Sequence, residues 1–216
     1  GNFKLPVLKS DKYFLTFKGN TINYKRALLV NNRKKWKFKG VLHEFLCSDE
    51  PTGEEHTIEG DYYIFSGRTG NRSKEVNKYK KDAEILEKAF NDKNTEADLL
   101  PRYSFYLSQS YRDNSDILNA IKWYTKTLDL NGWVQEKYYS CLMLGDLYLQ
   151  QGNDKDALKF WLKTIEYDSE RIEGIVKACE WGYKNSNHCL VNALYHRFRK
   201  YNKNPQGKLF LYFHLL

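Results

Sequence analysis

His43 and Glu44 are adjacent residues whose side chains could hold a metal ion or exchange a proton. They end an alternating apolar stretch that begins at Trp36 and is typical of a β-strand. A neutral imidazole at the end of a strand suits metal binding, and a neighbouring carboxylate can orient it or act as an acid or base. The other interpretation of His43 is a core histidine with satisfied hydrogen bonds. The pair is therefore the candidate for metal or acid–base chemistry.

Positive charge is the second chemical feature of the chain. The net charge of +8 favours anionic partners. Residues 34–39 interleave basic and aromatic side chains, and residues 66–73 place Arg68 and Arg72 in a glycine-rich loop before a helix. The first stretch is also consistent with a solvated strand face, and the second with an exposed connector. Binding of a nucleotide diphosphate stays open, whereas nucleic-acid binding has only the net charge in its favour.

Composition restricts the class of protein. The four cysteines show no CxxC spacing, which predicts reduced thiols rather than disulfides or a zinc site. No stretch approaches the roughly 20 apolar residues of a membrane helix, and residues 1–10 lack the apolar core of a signal peptide. A cytoplasmic location is predicted. The only methionine is Met143, which predicts that the chain is a processed product or a fragment of a longer protein.

Alternating apolar and polar residues predict a small strand region before residue 66. The predicted elements are a hairpin over residues 12–30 with its turn at Gly19-Asn20, a strand over Trp36–Leu46 with a bulge at Gly40, and an extended segment over Thr57–Phe65. Apolar residues then recur at helical spacing, which predicts a helix over Lys74–Asp92.

A repeated pattern dominates the second half of the chain. Six positions recur 37 residues later with the same character: Ser104, Leu107, Ser108, Tyr111, Ala120 and Tyr124, then Cys141, Leu144, Gly145, Tyr148, Ala157 and Trp161. They match the tetratricopeptide pattern of helix pairs, whose usual period is 34 residues. The small residues among them, Ser108, Ala120, Gly145 and Ala157, predict that the helices approach closely. The three additional residues are predicted in the loop Asn131–Gln135, and a third, degenerate pair is predicted over residues 171–200.

These patterns together predict a mainly α-helical protein with a small α+β N-terminal part. Residues 1–95 are predicted to hold antiparallel strands, the basic loop and a helix. Residues 96–216 are predicted to form a tetratricopeptide-like helical repeat array. Residues 208–216 are apolar and lack a polar cap, so that either the array continues or this tail packs back.

The order of the motifs resembles a known enzyme family. A hairpin, the stretch Trp-x-Phe-x-Gly-Val-Leu-His-Glu at residues 36–44, a basic loop and the helix Arg-Tyr-x-Phe-Tyr-Leu-x-Gln-Ser-Tyr-Arg-Asp at residues 102–113 follow one another. This order is similar to the C-terminal half of GT-A-type, family-two glycosyltransferases that carry tetratricopeptide repeats, found in bacteria and large DNA viruses. The segment Gly-Trp-x-Gln-Glu-x-Tyr-Tyr-Ser at residues 132–140 also looks like theirs. The resemblance runs from Leu5 to about Asp168.

The resemblance implies transfer of a sugar from a nucleotide-sugar donor to an acceptor. In such enzymes Mg²⁺ or Mn²⁺ bridges the donor diphosphate and stabilises the leaving group. It implies that His43 is a metal ligand and that Glu44 is the catalytic residue, orienting His43 or facing the acceptor. It also implies that Trp36, Arg68 and Arg72 contact the nucleotide sugar. The repeats would bind the acceptor, a glycan or a protein, or a partner peptide in their groove.

One departure from the family pattern limits what the chain is expected to do. The Asp-x-Asp motif that holds metal and nucleotide in these enzymes has no counterpart here, and no parallel βαβ units precede the hairpin. The chain is therefore expected to be a partial GT-A region with repeats, inactive on its own. A non-catalytic tetratricopeptide module that binds a protein or peptide stays open as the alternative function.

Overall fold

A computed structural model describes residues 5–19, 23–60, 62–65 and 77–198. The strands are β1 Lys12–Lys18, β2 Asn23–Val30, β3 Trp36–Lys39, β4 Phe45–Ser48, β5 Glu55–Thr57 and β6 Ile64–Phe65. The helices are α1 Lys78–Asn91, α2 Leu100–Asp113, α3 Ile117–Asp129, α4 Val134–Gln150, α5 Asp154–Tyr167, α6 Glu173–Lys184 and α7 His188–Phe198. Within these ranges no strand lies beyond Phe65, so the predicted mainly helical fold with a small N-terminal strand region is confirmed.

The chain divides into two compact units, residues 1–78 and residues 79–216. The sequence patterns placed the division after residue 95. Helix α1 instead packs with the other helices, because Leu86 is fully buried and Phe90 meets Trp123 of α3 edge-on, with 4.9 Å between the ring centroids. We refer to the two parts as the strand unit and the helical unit.

β1 is the central strand of the strand unit. It pairs antiparallel with β2, as the predicted hairpin requires, and parallel with the short strands β5 and β6. β3 and β4 form a separate two-stranded antiparallel sheet. Among the described positions of this unit, the buried apolar residues are Tyr13, Leu42 and Ile58 alone. Because so few apolar residues are buried, the stability of this unit depends largely on backbone pairing and polar contacts.

The predicted single strand over Trp36–Leu46 is wrong, because this stretch turns back on itself. β3 pairs with β4 so that Trp36 lies opposite Ser48 and Lys39 lies opposite Phe45. Residues 40–44 form the connecting turn, with a φ of 116° at Gly40. Glycine adopts such an angle without the steric cost that other residues incur. Apolar residues continue through the turn, as Val41 and Leu42 show. Gly40 therefore ends a strand where the pattern predicted a bulge.

Two further predicted elements are shorter in the structure. Among the described residues of the extended segment Thr57–Phe65, only the last residue of β5 and the two residues of β6 lie in strands. Asp61 lies outside the described residues. Between β5 and β6 the backbone at Gly60 has a φ of 151°, which interrupts the strand. The predicted helix Lys74–Asp92 is observed as α1, Lys78–Asn91. Residues 74–76 of that prediction lie outside the described residues.

Asp11 ties separate parts of the strand unit together. Its carboxylate accepts hydrogen bonds from the Gly53 backbone N–H at 2.9 Å and from the Asn31 side-chain amide, and it lies 2.7 Å from Lys34 Nζ. Lys34 also donates to the Pro51 carbonyl. The Gly53 N–H first, and then Lys34, hold the pKa of Asp11 below its usual value. The start of β1, the segment before β3 and the loop after β4 therefore meet at one carboxylate.

The helices of the helical unit pack as consecutive pairs, α2 with α3, α4 with α5, and α6 with α7. Neighbouring pairs pack through α3 with α4 and α5 with α6. Most of the positions that the sequence repeat singles out are buried in the first two pairs. A third set of buried residues lies 34 residues after the second and comprises Ile175, Ala178, Cys179, Gly182 and Val191. The predicted helix pairs are thus observed as far as Phe198.

Small residues let neighbouring helices approach closely, as the repeat pattern predicts. Gly145 of α4 packs so near Trp161 of α5 that a Cβ atom on Gly145 would overlap the indole ring. Gly174 of α6 packs in the same way against Thr164. Ala157, another of the predicted small positions, is fully buried. Because glycine has no side chain, the helices come closer at these points than a larger residue would allow.

The turn inside each helix pair has the same hydrogen-bond pattern. A residue with a left-handed backbone follows the first helix: Ser115, Gly152 and Ser186, with φ of 63°, 74° and 54°. The next residue donates its backbone N–H to the carbonyl five residues earlier, an arrangement that closes many helix C-termini. That residue also caps the second helix with its side chain, and the three caps are Asp116, Asn153 and Asn187. Backbone geometry therefore repeats even in the third pair, where the sequence motif is weak.

The three residues that lengthen the first repeat form an additional turn at the start of α4. α4 has 17 residues and α2 has 14. The surplus lies at the N-terminal end, over Val134–Glu136. The sequence pattern placed the insertion in a loop over Asn131–Gln135, which includes two of these three residues, but Val134 and Gln135 are helical. Glu136 is buried and reaches back to Arg102 of α2, at 3.8 Å between charged atoms.

Candidate functional site

His43 and Glu44 lie in the turn between β3 and β4. Both residues are exposed, whereas Leu42 beside them is buried and anchors the turn. The exposure of His43 excludes its interpretation as a core histidine. His43 also has a left-handed backbone, with a φ of 53°, which is uncommon for a residue with a side chain. The turn therefore exposes an imidazole and a carboxylate on two consecutive residues of the strand unit.

Trp36 lies at the opposite end of β3 from this turn. Its indole Nε1 donates to the Asn31 backbone carbonyl at 2.8 Å, which fixes the half-buried ring at the base of the hairpin. Arg68 and Arg72, the other predicted contacts of the nucleotide sugar, lie outside the described residues. The structure thus places Trp36, His43 and Glu44 on one hairpin, with His43 and Glu44 together and Trp36 apart from them.

His43 and Glu44 offer one imidazole and one carboxylate, a partial ligand set for a divalent cation. Within the residues that the structure describes, no three His, Cys, Asp or Glu side chains gather into a group that could hold a metal ion. A cation that bridges phosphates takes most of its ligands from phosphate and water, and needs only one or two from the protein. The donor set fits a cation of that kind and does not fit a structural zinc site.

Arg112 of α2 is the centre of a hydrogen-bonded cluster in the helical unit. Its Nη1 donates to the hydroxyls of Tyr124 at 3.2 Å and Tyr139 at 3.0 Å, and its Nε and Nη2 contact Asp113 Oδ1 at 2.8 Å and 2.7 Å. Burial acts to lower the pKa of Arg112, but Tyr124, Asp113 and Tyr139 outweigh it and raise the pKa. Burial raises the pKa of Tyr124. A charged guanidinium is therefore held in place by neutral phenols and one carboxylate.

Two adjoining clefts run beside this cluster. The first has a volume of about 460 Å³ and is lined by residues of α2, the segment between α2 and α3, the start of α3, and α4. Among them are Arg112, Tyr139, Met143 and Asp146. The second, of about 280 Å³, lies between α4 and α6 and also includes Asp146. Asp146 accepts hydrogen bonds from Trp161 Nε1 and Lys177 Nζ, each at 3.0 Å. We call the two together the Asp146 groove, which crosses the first helices of all three pairs.

A further cleft, of about 440 Å³, lies between α1 and α3. Its lining includes Phe90, Lys122, Trp123, Lys126 and Asp129. We call it the Trp123 cleft. Sequence reasoning assigned no chemistry to any of these residues, because Trp123 falls between the repeat positions Ala120 and Tyr124 and has no motif of its own.

Arg171 forms a polar joint between the second and third pairs, which sequence reasoning also missed. Its guanidinium lies 3.9 Å from the centroid of the Tyr138 ring, donates to Gln135 Oε1 at 2.7 Å and pairs with Glu173 Oε1 at 2.5 Å. Tyr138 donates to Glu173 Oε2 at 2.7 Å. Burial acts to raise the pKa of Glu173, but the hydrogen bonds from Arg171 and Tyr138 outweigh it and lower the pKa. Gln135 belongs to the additional turn of α4, so a pattern that assigned it to a loop could not place it in this joint.

No protein-family model matches the chain, and no curated protein matches it. Across the described ranges, none of the helices has both the length and the apolar character that crossing a bilayer requires.

Proposed function

We propose that the chain is the C-terminal part of a metal-dependent GT-A-type glycosyltransferase, in which His43 contributes one ligand to the Mg²⁺ or Mn²⁺ ion of a nucleotide-sugar donor. Glu44 is the catalytic residue, and Trp36, Arg68 and Arg72 contact the donor. The observation that carries the proposal is the exposed His-Glu turn in the strand unit, followed along the chain by the Arg-Tyr-x-Phe-Tyr-Leu-x-Gln-Ser-Tyr-Arg-Asp helix at residues 102–113.

The placement of the pair supports the roles given to it. When bound, the cation would neutralise the diphosphate leaving group. A neutral imidazole in an exposed turn can reach a cation that is shared with a substrate, and Glu44 can fix its tautomer or accept a hydrogen bond from the acceptor. Most of the excess positive charge of the chain lies in residues 1–78, which favours an anionic diphosphate near the strand unit.

The helix pairs act in this proposal as tetratricopeptide-like repeats that bind the acceptor or a partner. The repeated buried positions, the close contact at Gly145 and the three equivalent turns support this assignment. Stacked helix pairs form extended surfaces along their first helices, and the Asp146 groove lies on such a surface.

Substitution of His43 tests the proposal on the natural gene product that contains this sequence. His43→Ala should lower metal-dependent sugar transfer by roughly 10²-fold, as for loss of one preorganised electrostatic contact, and it should weaken the apparent affinity for Mn²⁺. The melting temperature should change little, because an exposed side chain contributes little packing. Transfer is measured across a Mn²⁺ titration, with thermal melts on the same preparation.

His56→Ala is the matched control, because His56 is also exposed and lies in the same unit, with Nε2 at 3.2 Å from Glu54. An equal loss of transfer in both variants, or full activity of His43→Ala at unchanged metal affinity, contradicts the role of His43. The 216-residue chain by itself is expected to transfer no sugar. Metal-dependent transfer by that chain would mean that the active site lies elsewhere.

A non-catalytic interaction module is the second candidate function, and the Asp146 groove favours it. The groove combines aromatic side chains with Met143 and Arg112, residue types that are enriched where proteins bind one another. Peptides selected by display against the chain should bind it and fail to bind Leu149→Glu, since Leu149 is an exposed residue of the groove. Leu118→Glu, at an exposed position that lines neither cleft, is the control and should bind normally. Selected peptides that bind both variants equally would contradict this candidate.

A further inference from the structure

Asn131 and Gly132 form the only Asn-Gly dipeptide of the chain. In such a pair the backbone nitrogen of the glycine can attack the side-chain carbonyl carbon of the asparagine, because the glycine has no side chain to hinder the approach. A succinimide ring forms, and the nitrogen of the side-chain amide leaves as ammonia. Water then opens the ring at either of its carbonyl groups, which leaves aspartate or isoaspartate at residue 131. Water is therefore the one co-reactant that the change requires.

The fold leaves the side-chain amide of Asn131 without a partner. Asn131 is exposed in the irregular segment between α3 and α4, and among the described residues its side chain makes no hydrogen bond. Other exposed asparagines are held in place. The amide of Asn185 donates to the Trp181 carbonyl at 2.8 Å, and that of Asn91 donates to the Glu87 carbonyl at 2.9 Å. The amide of Asn131 can turn toward the neighbouring backbone nitrogen without first losing a hydrogen bond.

The backbone nitrogen of Gly132 is held by a three-residue turn, in which its N–H donates to the Leu130 carbonyl at 3.0 Å. A turn of this size bends its hydrogen bond away from the straight geometry that makes such bonds strong. Asn114 offers a contrast, because it is also exposed but is followed by Ser115. Ser115 carries a side chain, and its N–H donates to the Arg112 carbonyl at 2.9 Å at the end of α2. The attacking nitrogen is therefore more restricted after Asn114 than in the Asn-Gly pair.

We propose that Asn131 is a site of spontaneous deamidation in the folded chain, and that isoaspartate at this position displaces the start of α4. The packing of Gly132 carries the second part. Its backbone lies so close to Pro101 of α2 that an added Cβ atom would be 2.6 Å from the proline Cβ. Isoaspartate lengthens the backbone by one methylene group beside this contact. The buried Glu136, in the first turn of α4, depends on the same contact for its position beside Arg102.

The two products of the reaction should differ in stability. Aspartate keeps the normal backbone and adds a negative charge before the N-terminus of α4, where the helix dipole favours such a charge. Isoaspartate adds the same charge but also changes the path of the backbone. The difference between the two products therefore reports the contact of Gly132 with Pro101. The proposal depends neither on sugar transfer nor on a ligand in the Asp146 groove.

Incubation of the purified chain at mildly alkaline pH tests the site. Trypsin releases Asn131 in the peptide of residues 127–137, in which it is the only asparagine. Mass spectrometry should show two deamidated forms of this peptide, which co-elute with synthetic peptides that carry aspartate or isoaspartate at residue 131. The reaction should be at least about tenfold faster than at Asn114 or Asn185, because the glycine is more mobile and, compared with Asn185, the amide is free.

Asn131→Gln is the control, since the longer side chain would have to form a larger ring that closes less readily. The corresponding peptide of this variant should stay unchanged over the same incubation. A rate at Asn131 no higher than at Asn114 overturns the proposed site. Deamidation of residue 131 that occurs only after the chain is unfolded in urea, or that is equally fast in Asn131→Gln, also overturns it.

Thermal melts test the effect on α4 separately. Asn131→Asp carries the new charge on a normal backbone, and it should melt no lower than the unaltered chain. The deamidated fraction, separated by cation-exchange chromatography, contains isoaspartate and should melt about 3 °C below Asn131→Asp. Equal melting temperatures of the two proteins would confirm the site but overturn the displacement of α4.

Discussion

The strand unit and the helical unit are stabilised by different kinds of contact. In the helical unit, side chains such as Leu107, Tyr124 and Leu144 are fully buried at positions that recur along the chain. In the described part of the strand unit, Ile58 is among only three buried apolar residues, while Phe38 is 67% exposed. Contacts around Asp11 join segments that are far apart in sequence, since Gly53 lies 42 residues away.

This difference shows how repetition changes the source of stability. A helix pair buries its apolar face against the next pair, so each added pair extends one continuous interior. The strand unit has no such repetition and joins its segments through a few specific polar contacts, whose net contribution is individually small. Substitutions in the two units should therefore differ in size and in their dependence on pH.

The largest expected effect is that of truncating a repeated core residue. Leu144→Ala removes a fully buried side chain from α4 and should lower the free energy of unfolding of the helical unit by about 3 kcal/mol. Leu118→Ala, at a residue that is 74% exposed, is the control and should change it little. Urea unfolding followed by circular dichroism measures the difference. A similar, small effect of both variants would contradict the buried repeat interior.

A smaller effect is expected where helices approach through glycine. Gly145→Ala places a methyl group against Trp161 and should destabilise the helical unit by about 2 kcal/mol through overpacking. Gly53→Ala in the strand unit is the matched control, because its Cβ would lie 3.5 Å from Asp11 Oδ2, an ordinary contact. Thermal melts of both variants measure the contrast. Equal melting temperatures would mean that α4 and α5 do not pack as closely as described.

The strand unit should respond to acid through Asp11. The pKa of Asp11 is lowered in the folded chain, so its stabilising effect is present above the unfolded value of about 3.9 and is lost as pH falls through the lower folded value. The Gly53 amide resonance should move in that acid range, and Asp11→Asn should abolish the movement. Asp49→Asn, at an exposed carboxylate, is the control. Titration of the Gly53 amide in Asp11→Asn as in the unaltered chain would contradict the described contact.

The smallest expected effect is a difference in reactivity among the cysteine side chains, which involves no change in stability. Burial raises the pKa of the Cys141 thiol to about 12 and that of Cys179 to about 11. Both thiols should react slowly with a disulfide reagent at pH 8, because the thiolate is the reactive form. Cys189 is exposed and Cys47 is partly exposed, so these two should react first. Rapid labelling of Cys141 in the folded chain, detected by mass spectrometry, would contradict its burial.

The sequence predicted the helical unit better than the strand unit, and the reason is physical. The spacing of Tyr124, Leu144 and Ala157 predicts that they are buried, because the same packing constraint recurs in each pair. The turn at Gly40 left no such signal, since apolar residues occur on both sides of it. Asp11 belongs to no motif, and its contact with Gly53 depends on the folded path of the chain.

The candidate site was also predicted only in part. Trp36, His43 and Glu44 were identified from a motif, but their arrangement on a two-stranded hairpin was not. The clefts of the helical unit were not predicted, because Trp123 and Asp146 acquire their surroundings from helices that are distant in sequence. A dipeptide signal was nevertheless present: Ser115-Asp116 and Gly152-Asn153 lie at the repeat spacing and mark the turns.

The turns inside the three helix pairs keep one geometry although the residues around them differ. Serine or glycine takes the left-handed position, and backbone hydrogen bonds define the geometry whichever residue is present. In the third pair the aromatic position has been replaced, with Gly182 standing where the earlier pairs have tyrosine, yet Ser186-Asn187 keeps the turn. What the three pairs share is therefore the turn and not the tyrosine before it, so a helix pair can lose a consensus side chain and still keep the path of its backbone.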